Sequence, residues 1–184
     1  KQDSQYPVYT PNPKSIDHTL IQSLDILVSQ YGYVPLAFQA FLKIVGSVNL
    51  MGTFPKNIQE KNFPLLDPMV IFPIKEIVDY HQYLIDTSGD ICNSSKDEYY
   101  IEFSYDEETK EGISGTGVGY GVKLYSKPCI DGTLVNYEDS FGFIDYLRLC
   151  FKWGGFPNLQ WFESDVNPNF LSFIKELSST LTNI

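Results

Sequence analysis

The segment EDSFGFIDYLRLCFKWGGFP, residues 138–157, decides how we interpret the fold. It predicts a helix over residues 140–153 that is apolar around most of its circumference. The apolar positions are Ile144, Leu147 and Phe151, spaced i, i+3 and i+7, with Tyr146, Leu149, Cys150 and Trp153 on the adjoining arc. The polar stripe consists of Asp145, Arg148 and Lys152. A helix with so little polar surface is expected to be surrounded by other elements of a packed domain.

The end of this helix is equally well marked. Gly154 and Gly155 can adopt the left-handed backbone that ends a helix, and Pro157 prevents its continuation. Burial of such a helix requires several other elements around it. We therefore predict an α+β fold in which a mixed or antiparallel sheet of about four to six strands is packed by about five helices.

Periodicity predicts the remaining elements. Further helices are expected over residues 15–31, 35–45, 75–86 and 168–181. Strands are expected over residues 47–51, 69–72, 97–105 and 120–124. Residues 1–14 are polar with three prolines and are predicted to form an extended arm, whereas residues 15–184 are predicted to form a single domain.

The net charge of the chain indicates which kinds of partner it can bind. The formal net charge is −10 and the pI is near 4.5, so the protein should repel phosphate backbones and anionic membranes. We therefore expect neither a nucleic-acid partner nor a membrane. Basic proteins would be attracted, although acidity that only maintains solubility is the alternative interpretation.

The residues that usually carry chemistry are sparse. The three cysteines, Cys92, Cys129 and Cys150, show no disulfide or zinc spacing, which favours a reducing cytoplasm. The two histidines, His18 and His81, are not next to a cysteine, and His81 is expected to be a buried structural group. The glycine run at residues 112–121 lacks the spacing of a phosphate loop. We expect no metal, no cofactor and no catalytic residue.

Acidic and aromatic residues supply the candidate site instead. Seven acids lie within the fifteen residues 97–111. They indicate a solvated hairpin tip, a patch that docks a basic protein, or paired carboxylates for acid–base catalysis. The aromatic segment around Trp161 indicates core packing beneath a loop or an exposed anchor. The predicted partner-binding residues are Tyr100, Glu102, Asp106, Glu107, Glu108, Glu111 and Trp161.

Two segments carry a resemblance to a known family. Residues 31–52, YGYVPLAFQAFLKIVGSVNLMG, contain Val34-Pro35 followed by an amphipathic helix that ends at Gly46, and a strand follows. This order resembles the opening motif of the SUKH superfamily, and residues 143–157 are similar to a segment of bacterial proteins with the same front end. The resemblance implies an α+β domain that binds other proteins, in many bacterial members as an immunity protein that neutralises a toxin domain.

Together these features predict a non-enzymatic, cytoplasmic protein-binding domain, of the immunity type, whose partner is a basic toxin domain. Its acidic surface would accelerate encounter and its aromatic side chains would slow release. Two alternatives stay open: a small-molecule or carbohydrate-active enzyme that uses two carboxylates, and a structural module of a larger protein in which residues 1–13 form a linker.

Overall fold

Helices and short antiparallel strands alternate along the part of the chain that a computed structural model describes, residues 18–51, 66–92, 98–113, 117–137, 141–164 and 166–180. The predicted α+β class is confirmed. The arm predicted over residues 1–14 lies outside the described residues.

Five longer helices match the five that the sequence predicts. They are α1 (His18–Val28), α2 (Leu36–Ile44), α3 (Ile74–Ser88), α5 (Phe143–Lys152) and α7 (Pro168–Thr180). Two single-turn helices, α4 (Glu107–Lys110) and α6 (Leu159–Phe162), were not predicted. One turn is too short to leave a periodic apolar pattern, which is why both segments had the character of loops.

The strands form two small sheets, so the prediction of one sheet with about four to six strands was wrong. In the described residues, β1 (Val48–Asn49) pairs with β2 (Val70–Ile71), and β3 (Tyr100–Ser104), β4 (Tyr120–Lys123) and β5 (Leu134–Val135) form a second antiparallel sheet. The backbone N–H of Phe72 donates to the carbonyl of Phe103 at 2.8 Å and joins β2 to β3. Pro73, which has no N–H, then directs the chain into α3 and ends this contact.

Helix α5 occupies the centre of the main core. Phe143 is fully buried, and the centre of its ring lies 5.1 Å from that of Phe38, 5.8 Å from Phe41 and 5.7 Å from Phe103. These edge-to-face contacts join α2, β3 and α5. The central position that the sequence predicts for this helix is therefore observed.

The buried face of α5 differs in detail from the expected one. Phe143, Tyr146, Leu149 and Cys150 are its buried residues, whereas Phe151 is 37% exposed. The apolar arc is wide enough that the face centred on Phe151 could also have been buried. Packing of Phe143 against Phe38 and Phe103 turns the observed face towards the core. The polar stripe lies in solvent as predicted.

A second, smaller core lies beyond the end of α5. Gly154 and Gly155 have φ of 60° and 97°, so they end the helix in the left-handed conformation as predicted. The following chain packs α6 against α7 around Trp153, Phe156 and Phe170. None of the described helices has the length and apolar character needed to cross a membrane.

We predict that Phe143→Ala lowers the free energy of unfolding by about 3–5 kcal/mol, because it leaves a cavity among three aromatic rings. Phe151→Ala on the same helix is the matched control, and its cost should be about 1 kcal/mol or less because the side chain is partly exposed. Urea denaturation of both variants measures the difference. Equal losses would contradict the central position of Phe143.

Candidate functional site

A groove with a volume of about 650 Å³ lies between α4, the segment before β4, and α6. We call it the acidic groove. Its lining residues are Asp106, Glu107, Glu108, Gly117, Val118, Tyr120, Asn136, Tyr137, Asn158, Trp161 and Phe162. Four of the seven predicted site residues, three acids and the tryptophan, therefore meet in one concave surface although up to 55 positions separate them along the chain.

The acidic wall of the groove is an ordered helical turn. The Asp106 carboxylate caps α4, accepting from the backbone N–H of Thr109 at 3.0 Å and from its hydroxyl at 2.6 Å. Partial burial raises the pKa of Asp106, but these hydrogen bonds outweigh it and hold the pKa below its ordinary value. Asp106 therefore remains ionised at neutral pH. A freely solvated hairpin tip, one of the interpretations above, does not describe this turn.

A buried ion pair fixes α4 from below. The ammonium Nζ of Lys110 lies 2.6 Å from the carboxylate Oδ1 of Asp67, and both side chains are fully inaccessible to solvent. The same Nζ lies 4.2 Å from the centre of the Tyr120 ring, a cation–π contact with a residue of the groove. The ion pair thus ties the acidic wall to the chain that precedes β2.

Two side-chain hydrogen bonds restrain the same turn. The Asn158 amide donates to Oε2 of Glu107 at 2.9 Å, which connects α4 to the start of α6. The backbone N–H of Leu66 donates to Oε1 of Glu111 at 3.2 Å. Glu111 does not line the groove, so among the predicted residues it supports the wall and does not form its surface.

The aromatic side of the groove is provided by α6. Trp161 is 51% exposed, whereas Phe156, five residues earlier, is buried in the smaller core. Core packing is therefore correct for Phe156, whereas Trp161 is exposed and its role as an anchor stays a prediction. An exposed tryptophan beside three carboxylates is a surface suited to the apolar stem and charged end of a lysine or arginine.

A smaller cavity of about 240 Å³ lies between α3 and β3, and we call it the α3–β3 cavity. Glu102 and Tyr100 line it, together with Tyr80 and His81 of α3. Tyr100 is only 6% exposed, so the prediction that it anchors a partner from the surface was wrong. Its ring covers Gly121 on β4, where a side chain would collide with it.

Glu102 has an environment opposite to that of Asp106. Desolvation by burial is the main cause that raises the pKa of Glu102 to about 7, and the charge of Asp106 contributes, whereas a hydrogen bond from Tyr80 opposes the shift. The Tyr80 hydroxyl lies 3.4 Å from Oε2. Glu102 is thus an acid that titrates near neutrality.

His81 is a structural link between α3 and β3. It is fully buried, Nδ1 lies 2.8 Å from the Ile91 carbonyl, and Nε2 accepts from the backbone N–H of Glu102 at 2.9 Å. The first contact requires that Nδ1 carry the proton and the second that Nε2 be bare, so the ring is neutral. Desolvation lowers the pKa of His81 accordingly. The expectation of a buried structural histidine is confirmed.

Several site residues were missed from the sequence. Asn136, Tyr137 and Asn158 line the groove, and Tyr80 lines the cavity, yet none stands in a recognisable motif. Within the described ranges, no three histidine, cysteine or acidic side chains are arranged to hold a metal ion. In the described part of the chain, none of the three cysteines forms a disulfide.

Comparison with known proteins adds no relative. No family model matches the sequence, and no curated protein or solved structure matches it. The SUKH resemblance therefore stays a prediction, and the function has to be argued from the two concave surfaces.

We predict that Lys110→Met lowers the free energy of unfolding by about 3–5 kcal/mol, because it leaves the buried Asp67 charge without its counter-ion. Addition of Asp67→Asn should restore part of this loss. Asparagine carries no charge and tolerates the left-handed backbone at position 67, where φ is 51°.

The control for this prediction is Lys175→Met, which removes the exposed ion pair with Glu163. Its effect should be about 1 kcal/mol or less. Chemical denaturation of the three variants gives the comparison. If Lys110→Met cost no more than Lys175→Met, the ion pair would have no role in fixing α4.

We also predict a pH-dependent effect of Glu102→Gln. The folded-state pKa of about 7 exceeds the ordinary 4.5, so the folded protein binds this proton more tightly than the unfolded chain. The resulting stabilisation is fully present below about pH 4.5 and is lost as the pH rises to about 7. Relative to Glu102→Gln, the unaltered protein should lose on the order of 1 kcal/mol between pH 5 and 8, after allowance for solvent screening.

Denaturation curves at pH 5 and pH 8 measure this difference. Glu176→Gln, which alters an exposed acid on α7, is the matched control. A pH-independent difference between Glu102→Gln and the unaltered protein would contradict the shifted pKa.

Proposed function

We propose that this protein is a non-enzymatic protein-binding domain of the immunity type, which occludes a basic surface of a toxin-like partner. The observation that carries the proposal is the composition of the acidic groove. Asp106, Glu107 and Glu108 face it together with the exposed Trp161, and its described lining contains no lysine or arginine. Such a surface attracts cations and offers them an aromatic face.

The net charge of the whole chain also supports binding of a basic partner. A net charge of −10 draws a basic protein from a distance, and the groove concentrates negative charge where contact would be made. Because Asp106 caps α4 and Glu107 is held by Asn158, these carboxylates are positioned before binding. Preorganisation of this kind reduces the entropy lost on association.

A carbohydrate-active enzyme is the second candidate, and one observation favours it. Glu102 has a pKa of about 7 and lines a cavity, as a general acid would. Glycosidic chemistry needs a second carboxylate on the same cavity. The described lining of the α3–β3 cavity provides no other aspartate or glutamate. These facts favour the binding function.

The proposal predicts where the partner attaches. A photo-crosslinking amino acid placed at position 161 in the source cell should capture a basic protein, whereas the same amino acid at exposed position 173 on α7 should not. Binding kinetics are then measured with the captured protein in purified form.

With that partner, Glu107→Lys/Glu108→Lys should reduce the association rate constant about tenfold or more at low salt and flatten its salt dependence. The matched control is Glu76→Lys/Asp79→Lys on α3, which changes the net charge equally and leaves the groove intact. Trp161→Ala should mainly accelerate dissociation. If both double variants associated equally slowly, the effect would be one of net charge and the groove would not be the binding site.

A further inference from the structure

The α3–β3 cavity lies directly behind the acidic groove. Gly117 and Val118 line both, so a short strip of chain separates the two concave surfaces. At Gly117 a side chain would collide with the Asp106 carboxyl group, and at Gly119 it would collide with that of Glu102. The absence of side chains at these glycines therefore allows both carboxyl groups to lie against this strip of chain.

The charged residues that line the cavity indicate whether its ligand is a cation or an anion. Glu102 is the acidic residue of its described lining, which includes no lysine or arginine. His81 cannot supply a positive charge without breaking its link to β3, because both ring nitrogens are engaged by backbone groups. A cation is thus the ligand that this lining would stabilise.

The cavity also has the shape and capacity for a small cation. Its volume of about 240 Å³ suits a group of a few heavy atoms, and the rings of Tyr80 and Tyr100 form its walls. The Tyr80 hydroxyl is 3.4 Å from Oε2 of Glu102, longer than a strong hydrogen bond, so this oxygen retains capacity for a better donor.

We propose that the α3–β3 cavity is a second subsite, which binds a primary ammonium group, as carried by a lysine side chain of the basic partner. The lysine would reach Glu102 while neighbouring basic residues of the same partner occupy the acidic groove. This inference rests on the proposed function in one respect, since it assigns the ammonium group to a protein.

Binding of the ammonium group is linked to the ionisation of Glu102. An opposite charge within about 4–6 Å lowers the pKa of a carboxyl group by about one to three units. Because burial raises the pKa of Glu102 to about 7, binding at neutral pH would release a proton and would strengthen between pH 6 and pH 8. Tyr80 and Asp106 act on the pKa of Glu102, and His81, Cys92 and Tyr100 are the other titratable groups of the described cavity lining.

The test uses the full chain, labelled with ¹³C at glutamate side chains and at tyrosine rings, and n-butylammonium as the probe. At a saturating concentration of the probe, the midpoint of the Glu102 carboxyl titration should move to lower pH by about one unit. The Tyr80 ring resonances should shift in parallel. Glu102→Gln should weaken the affinity for butylammonium, measured from the Tyr80 shifts, about tenfold. Glu176→Gln on the exposed face of α7 should leave this affinity unchanged.

Two results of this titration would overturn the inference: an unmoved Glu102 midpoint, or Tyr80 shifts of equal size in Glu102→Gln. If Glu102→Gln does not fold, the titration of the unaltered protein decides alone. Failure of the proposed function is distinguishable. A partner that binds the groove with unchanged affinity for Glu102→Gln would contradict only the inference. Butylammonium binding without a groove-bound partner would contradict the proposed function and the assignment of the ammonium group to a protein, and would leave the cavity as an ammonium site.

Discussion

The buried ion pair between Lys110 and Asp67 is the interaction on which the candidate site depends. Transfer of two charges out of water is costly, and their mutual attraction offsets the cost only when the geometry is held. Here the pair joins α4 to the chain before β2, and its ammonium group also contacts the ring of Tyr120. The acidic wall of the groove is therefore supported by the interior of the protein, which explains why a single helical turn can present three carboxylates in a defined arrangement.

The environments of two neighbouring acids give the two concave surfaces different chemistry. Asp106 receives hydrogen bonds from Thr109, and its pKa lies below the ordinary value. Glu102, four residues earlier on β3, is desolvated, and its pKa rises to about 7. One surface is thus permanently negative at neutral pH, and the other changes its charge there. This difference in pKa comes from the surroundings of the two side chains, since both end in a carboxyl group.

Much of the fold could be predicted from local patterns. The five longer helices, the Gly154-Gly155 stop and the strand β3 all follow from periodicity and turn chemistry over short distances. The division into two sheets could not be predicted, because the pairing of strands depends on contacts between distant positions, such as that of Val48 with Ile71. The site was predictable in part: the acids before and within α4 and the exposed Trp161 were named, but the buried state of Tyr100 was not.

The amino-acid sequence by itself determined the α+β class, the acidic character and the supply of carboxylate and aromatic side chains, because composition and short-range periodicity are properties of the chain alone. Tertiary structure alone decided which of those side chains meet. It placed Trp161 beside Glu107 and Glu108, buried Lys110 against Asp67, and drew Glu102 into a cavity. The physical reason is that burial and long-range contact set both the reach and the ionisation of a side chain, and neither is encoded in its immediate neighbours.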